Sequence, residues 1–167
     1  CDSLRRASAF HVWRRPIETM LETRPGSLET ALGDVVHEVK MPDVQYALLA
    51  QLLDLAGDLI PAPKGLSPEE RAQGIRDAIV TLLTALTRTR RAVLIFEDTH
   101  WMDSASWQAL ADIRDRLPQL AIVLLSRPVD PTDLPVQAIR MLRDAAGAKI
   151  TLAPLGRAET DALIVSE

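Results

Sequence analysis

Two carboxylates stand side by side at Glu97 and Asp98, directly after an uninterrupted apolar run at residues 92–96. Paired acids in that position suit the holding of Mg²⁺, through their oxygens or through its bound water. They equally suit the orientation of an attacking water in nucleotide hydrolysis. A second apolar run, residues 120–125, ends in Ser126-Arg127-Pro128, which puts a guanidinium at the end of that run. His100 and Trp101 follow the acids, and Asp103 follows them. Each of these has a plainer reading beside the chemical one. Any buried strand can end in a solvated acidic turn, and Arg127 can pair with Asp130. His100 can hold the turn by a hydrogen bond while Trp101 packs under the next helix. Short motifs of this kind occur often by chance. Asp103 reads as a helix cap.

The elements that must position these groups follow from hydrophobic periodicity. Five apolar residues at 92–96 are too few for a helix and too apolar for an edge strand. Such a run predicts a parallel strand buried on both faces. Acids at the carboxyl end of a central parallel strand face the crevice where open α/β sheets bind ligands. Residues 120–125 predict a second such strand and residues 149–152 a third. Strands separated by helices of this length imply crossover units and a parallel sheet.

The helices are punctuated clearly. Residues 9–22 read as helical, with Pro16 either starting the main part or kinking it, and Trp13, Ile17, Met20 and Leu21 on one face. Ser27 caps a short helix ending near Val39, and residues 44–59 give another, with Leu48, Leu49, Leu52, Leu53 and Leu55 inward. Pro61, Pro63 and Gly65 make residues 60–66 a loop. Ser67-Pro68-Glu69-Glu70 then opens a long helix through a capping box. Its stripe is Ile75, Ala78, Ile79, Leu82, Leu83 and Leu86. A helix at 104–117 buries Trp107, Leu110, Ile113 and Leu117. A further helix covers about 136–145, and another opens at 157–166. The polar, arginine-rich stretch 1–8 has no periodicity. His11 reads as a loop histidine and His37 as a surface one, and no spacing of His, Cys, Asp and Glu forms a metal cage.

Composition excludes several classes. The chain of 167 residues is one domain's worth, 47% hydrophobic and 25% charged, with a net charge of −4. That charge gives no footprint for nucleic acid. The single cysteine, Cys1, excludes an internal disulfide and fits a reducing cytoplasmic compartment. No apolar run is long enough to span a bilayer. The sequence starts without methionine and stops within a predicted helix, so it reads as a fragment cut at both ends.

The segment Phe96-Glu97-Asp98-Thr99-His100-Trp101-Met102-Asp103-Ser104-Ala105-Ser106-Trp107 resembles the hhhED-x-HW-x-D-x-x-S segment of bacterial signalling ATPases. These are STAND/AAA-like P-loop NTPase modules attached to class III adenylate/guanylate cyclase domains and to LuxR-type regulators. Phe10-His11-Val12-Trp13-Arg14, Leu124-Leu125-Ser126-Arg127-Pro128 and Ile150-Thr151-Leu152-Ala153-Pro154-Leu155 also fit in order and spacing, so the resemblance spans nearly the whole chain.

The resemblance implies a three-layer P-loop NTPase fold, with helices on both faces of a parallel sheet. It implies a core over 1–155 and the start of a helical lid at 156–167. It implies ATP and Mg²⁺ as ligands. Glu97 falls on the Walker B acid that holds Mg²⁺, and Asp98 on the neighbour that positions water. The order is open, because the family's first acid is usually Asp. Arg127 falls on the sensor-1 arginine, and His100 with Trp101 lies at the lip of the nucleotide crevice, where they are placed to couple nucleotide state to a neighbouring domain.

One required part is missing from the sequence. A phosphate-cradling loop of form GxxxxGK[ST] needs a Gly-Lys pair, and Lys40, Lys64 and Lys149 are preceded by Val39, Pro63 and Ala148. In the resembled family that loop lies upstream of the position of Cys1, and its strand sits between the 120–125 and 149–152 strands. The sheet is therefore expected to lack its central strand, and the chain alone to bind ATP weakly or not at all. The implied partners are the chain's own upstream loop region and attached output and sensor domains, with a nucleotide-dependent oligomer allowed. Two other readings stand beside this one: a catalytically inactive, ATPase-derived interaction module, and an unrelated helical binding protein with a small sheet.

Overall fold

A computed structural model describes residues 9–55, 60, 63–143, 147–157, 160 and 161. Among these residues the chain forms six α-helices and a two-stranded parallel sheet. The helices are α1 (Arg14–Leu21), α2 (Leu28–Val39), α3 (Asp43–Leu52), α4 (Pro68–Thr87), α5 (Ser104–Arg116) and α6 (Val136–Arg143). The strands are β1 (Val93–Phe96) and β2 (Ala121–Leu124), with α5 as their crossover. They run in register, Val93 opposite Ala121 and Phe96 opposite Leu124, so their carboxyl ends lie level. This is a partial α/β arrangement.

Local chemistry sets three of the helix starts, those of α2, α4 and α5. Ser27 accepts from the Thr30 N–H at 3.1 Å, supplying one of the donors a helix start leaves unpaired. At α4 the capping box is complete: the Ser67 hydroxyl accepts from the Glu70 N–H, and the Glu70 carboxylate accepts from the Ser67 N–H. Two departures from expectation are local. The first helix is split into a 3-10 turn, His11–Trp13, and α1, because Phe10 enters in the left-handed region at φ 63°. The third helix stops at Leu52 rather than running on, since Asp54 turns left-handed at φ 54°. Leu55 lies beyond that turn, and residues 56–59 lie outside the described residues, as do 1–8, 144–146 and most of the expected C-terminal helix.

One core joins all six helices to one face of the sheet. Trp13, Ile17 and Leu21 of the first helical segments, Ala78, Ile79, Leu82 and Leu83 of α4, and Trp107, Leu110 and Ile113 of α5 are buried together. Leu94 and Phe96 enter the same cluster from β1, and Phe96 meets Trp13 edge to face with ring centroids 5.0 Å apart. Each large side chain so enclosed contributes roughly 1.5–3 kcal/mol of burial. Met20, expected inside, is only partly buried.

The sheet departs from expectation in its other face. Burial alternates along β1, with Val93 and Ile95 each 57% exposed and Leu94 and Phe96 enclosed. Val123 and Leu125 are exposed on the same side. On the Leu94 side β1 is buried and β2 half-buried, and the other face is exposed, because every described helix that reaches the core lies on the Leu94 side. A layer on both faces is not present among the described residues. The third expected strand is also missing: residues 149–152 take neither helix nor strand, and Ile150 and Leu152 are 80% and 85% exposed. Without a neighbour to supply ladder hydrogen bonds, an apolar segment has nothing to hold it as a strand. No described helix is long and apolar enough to cross a membrane.

Candidate functional site

The level strand ends bring the three singled-out charges to one place. Leu125 N–H donates to Phe96 O at 2.9 Å, continuing the ladder one step past β2. Beyond it the chain turns at both tips. Asp98 leaves β1 in the left-handed region, φ 51° and ψ 43°. That conformation is strained for most side-chain-bearing residues, and Asp is among the few that tolerate it. Thr99 then donates twice to Leu125 O, from its N–H at 2.9 Å and its hydroxyl at 3.2 Å.

Glu97, Asp98, Leu125, Ser126 and Arg127 line one concavity of about 320 Å³. Two carboxylates thus face a guanidinium across the ends of adjacent parallel strands, on the same rim of the sheet. The concavity is open, and Glu97 and Arg127 are exposed. The alternative pairing of Arg127 with Asp130 is not formed: the Asp130 carboxylate accepts from the Thr132 N–H at 2.9 Å and hydroxyl at 2.7 Å. Those bonds hold the Asp130 carboxyl below the usual aspartate range.

His100 is not part of that lining. Its side chain is 9% exposed, in the 3-10 turn Thr99–Trp101, with its ring 4.9 Å from that of Trp101. Its Nδ1 lies 4.0 Å from Asp98 Oδ1 and has no hydrogen-bond partner among the described residues. Trp101 is itself half-buried. Asp103 is a cap: its Oδ1 accepts from the Ser106 N–H at 2.9 Å and its Oδ2 from the Ser106 hydroxyl at 2.6 Å.

Two acids are few for a cation. No group of three or more His, Cys, Asp or Glu side chains forms a metal cage among the described residues. Mg²⁺ differs from Zn²⁺ or Ca²⁺ here, because it keeps several waters and is commonly held by one or two carboxylates plus substrate phosphates. An all-oxygen pair at a strand tip fits that demand. Among the described residues that line the concavity, Arg127 is the one cation.

A second cavity, about 460 Å³, lies between the first helical segment, α3 and α4. Its cations are already engaged, Arg14 by Glu18 and Asp54, Arg71 by the Gln51 side chain and the Pro63 carbonyl. It shares no residue with the strand-tip site. Sequence reasoning missed Thr99 and Leu125. Thr99, a β-branched polar residue directly after the acids, was the available signal.

Comparison with protein-family models, with curated proteins and with solved structures returned no match.

Proposed function

We propose that this chain is the Walker B half of a regulatory ATPase of the STAND/AAA-like P-loop class, part of a multidomain bacterial signalling protein. In that reading the central strand and phosphate loop are supplied by the rest of the polypeptide, and ATP binding and hydrolysis switch an attached output domain. The observation that carries the proposal is the meeting of Glu97, Asp98 and Arg127 in one concavity at the level ends of two parallel strands.

In this reading the resemblance supplies the roles, and the shared concavity supports them. Glu97 and Asp98 would hold Mg²⁺, directly or through its water, and one of them would orient the attacking water. When bound, Mg²⁺ neutralises charge on the β- and γ-phosphate oxygens. Arg127 reads the γ-phosphate from the end of β2 with a charge-assisted hydrogen bond. Thr99 keeps the two tips at a fixed separation by bonding across to Leu125 O. Glycine-rich backbone amides are required to complete the phosphate cradle, and the sequence has no Gly-Lys pair to form them.

The test is made in the intact polypeptide. Glu97→Gln, Asp98→Asn and Arg127→Ala are each expected to lower ATP turnover by about 100-fold or more, the scale of losing a preorganised charge at such a site. Circular dichroism and melting should stay unchanged. Wild-type turnover in all three variants rules the reading out and favours a non-catalytic interaction module.

A further inference from the structure

The enclosed imidazole behind Asp98 does not line the strand-tip concavity. A buried nitrogen without a partner is costly, about 1–3 kcal/mol, and so calls for an explanation. His100 Nδ1 is such a nitrogen, and what it faces is the Asp98 carboxylate, 4.0 Å away. That distance is about 1 Å beyond a hydrogen bond. The two partners differ in freedom. The imidazole is enclosed and packed on Trp101, whereas the Asp98 side chain is 47% exposed at the mouth of the concavity. The small movement that closes the gap therefore belongs to Asp98.

We propose that His100 is a positioning residue that acts through Asp98 and does not touch the nucleotide. Neutral imidazole carries one N–H, and the neighbouring carboxylate favours the tautomer with that proton on Nδ1. The Nδ1–H then donates to Asp98 Oδ1, fixing the carboxylate plane and leaving Oδ2 to act on water or on the cation's water. Apo sites commonly hold such contacts long and tighten them when loaded. The left-handed backbone at Asp98 lies at the same junction, where its Oδ1 is 4.0 Å from the imidazole. This inference rests on the role given to Asp98 above.

The test uses His100→Asn, whose amide N–H sits where Nδ1–H does, against His100→Gln and His100→Phe, which lack a donor there. In the intact polypeptide, kcat for ATP should fall about 10- to 100-fold in the Gln and Phe variants, the usual cost of losing a ligand's orienting partner. KM should stay within about threefold and the Asn variant should recover most of kcat. In an Asp98→Asn background, His100→Phe should cost nothing more. Equal losses in all three variants, or losses that add to Asp98→Asn, overturn the proposal. An activity-free measurement separates it from the ATPase reading. In this 167-residue chain, the Asp98 carboxyl ¹³C resonance at neutral pH should move in the Phe variant and stay in the Asn variant. No movement in either overturns the proposal. Movement here with unchanged turnover in Asp98→Asn leaves the contact standing and removes its catalytic meaning.

Discussion

Thr99 bonds to Leu125 O twice, through its amide at 2.9 Å and its hydroxyl at 3.2 Å, and so ties the tip of β1 to the end of β2. Glu97 and Asp98 directly precede the first of those anchors, and Ser126 and Arg127 directly follow the second. One cross-strand clasp thereby sets the distance between the acids and the guanidinium. Thr99→Val keeps the shape and the amide bond but removes the hydroxyl donor. It should cost about 0.5–1.5 kcal/mol in urea unfolding. The larger effect is expected on the site, where the tips separate more freely.

The two faces of β1 make opposite predictions from neighbouring residues. Leu94 is enclosed by the helices and Ile95 is 57% exposed. Leu94→Ala should cost about 2–5 kcal/mol through lost burial and a cavity. Ile95→Thr should stay within about 0.5 kcal/mol, as for an exposed position. Equal costs in chemical denaturation would mean that a further layer covers the Ile95 face.

The N-terminus of α4 should loosen in acid. The Ser67 backbone N–H and hydroxyl both lower the Glu70 carboxyl below the usual glutamate range. A depressed carboxyl contributes stability that is present above its unfolded-state value and is lost as pH falls through the folded one. The loss therefore falls below the ordinary glutamate range of about 4.3. Amide exchange at residues 67–71, corrected for its intrinsic pH dependence, should show lower protection there and none of that change in Glu70→Gln, which keeps the hydrogen bond without titrating.

Elements fixed by local chemistry were legible in the sequence. Ser27, Ser67 and Asp103 cap where a short polar side chain precedes a helix, and both strands sit within the apolar runs that announce them. The acids and Arg127 meet because two such runs pair in register, a consequence of the crossover through α5. What failed depended on something outside the segment. Burial of both faces of β1 needs a covering layer, and residues 149–152 need a paired neighbour. Neither requirement is written in the local pattern. The left-handed turns at Asp54 and Asp98 were also illegible, since Asp, unlike Gly, does not announce a positive φ. The Thr99 clasp is a contact across 26 positions that no spacing rule reaches.

That left-handed turn decides which substitution at Asp98 is a fair probe of chemistry. At φ 51° an ordinary side chain crowds the carbonyl, at roughly 1–2 kcal/mol, while Asn and Asp tolerate the region and Gly has no penalty. Asp98→Ala should therefore destabilise by about 1 kcal/mol and loosen the turn that carries Thr99. Asp98→Asn should unfold within about 0.5 kcal/mol of the parent, since it removes charge but keeps the backbone preference. Asp98→Gly should match or exceed the Ala variant in stability. If all three unfold alike, the turn is unstrained and the position is free of backbone constraint. If they order as stated, loss of turnover in Asp98→Asn is a loss of charge, while loss in Asp98→Ala mixes charge with a displaced clasp. Only the first bears on whether the strand-tip carboxylate does chemistry.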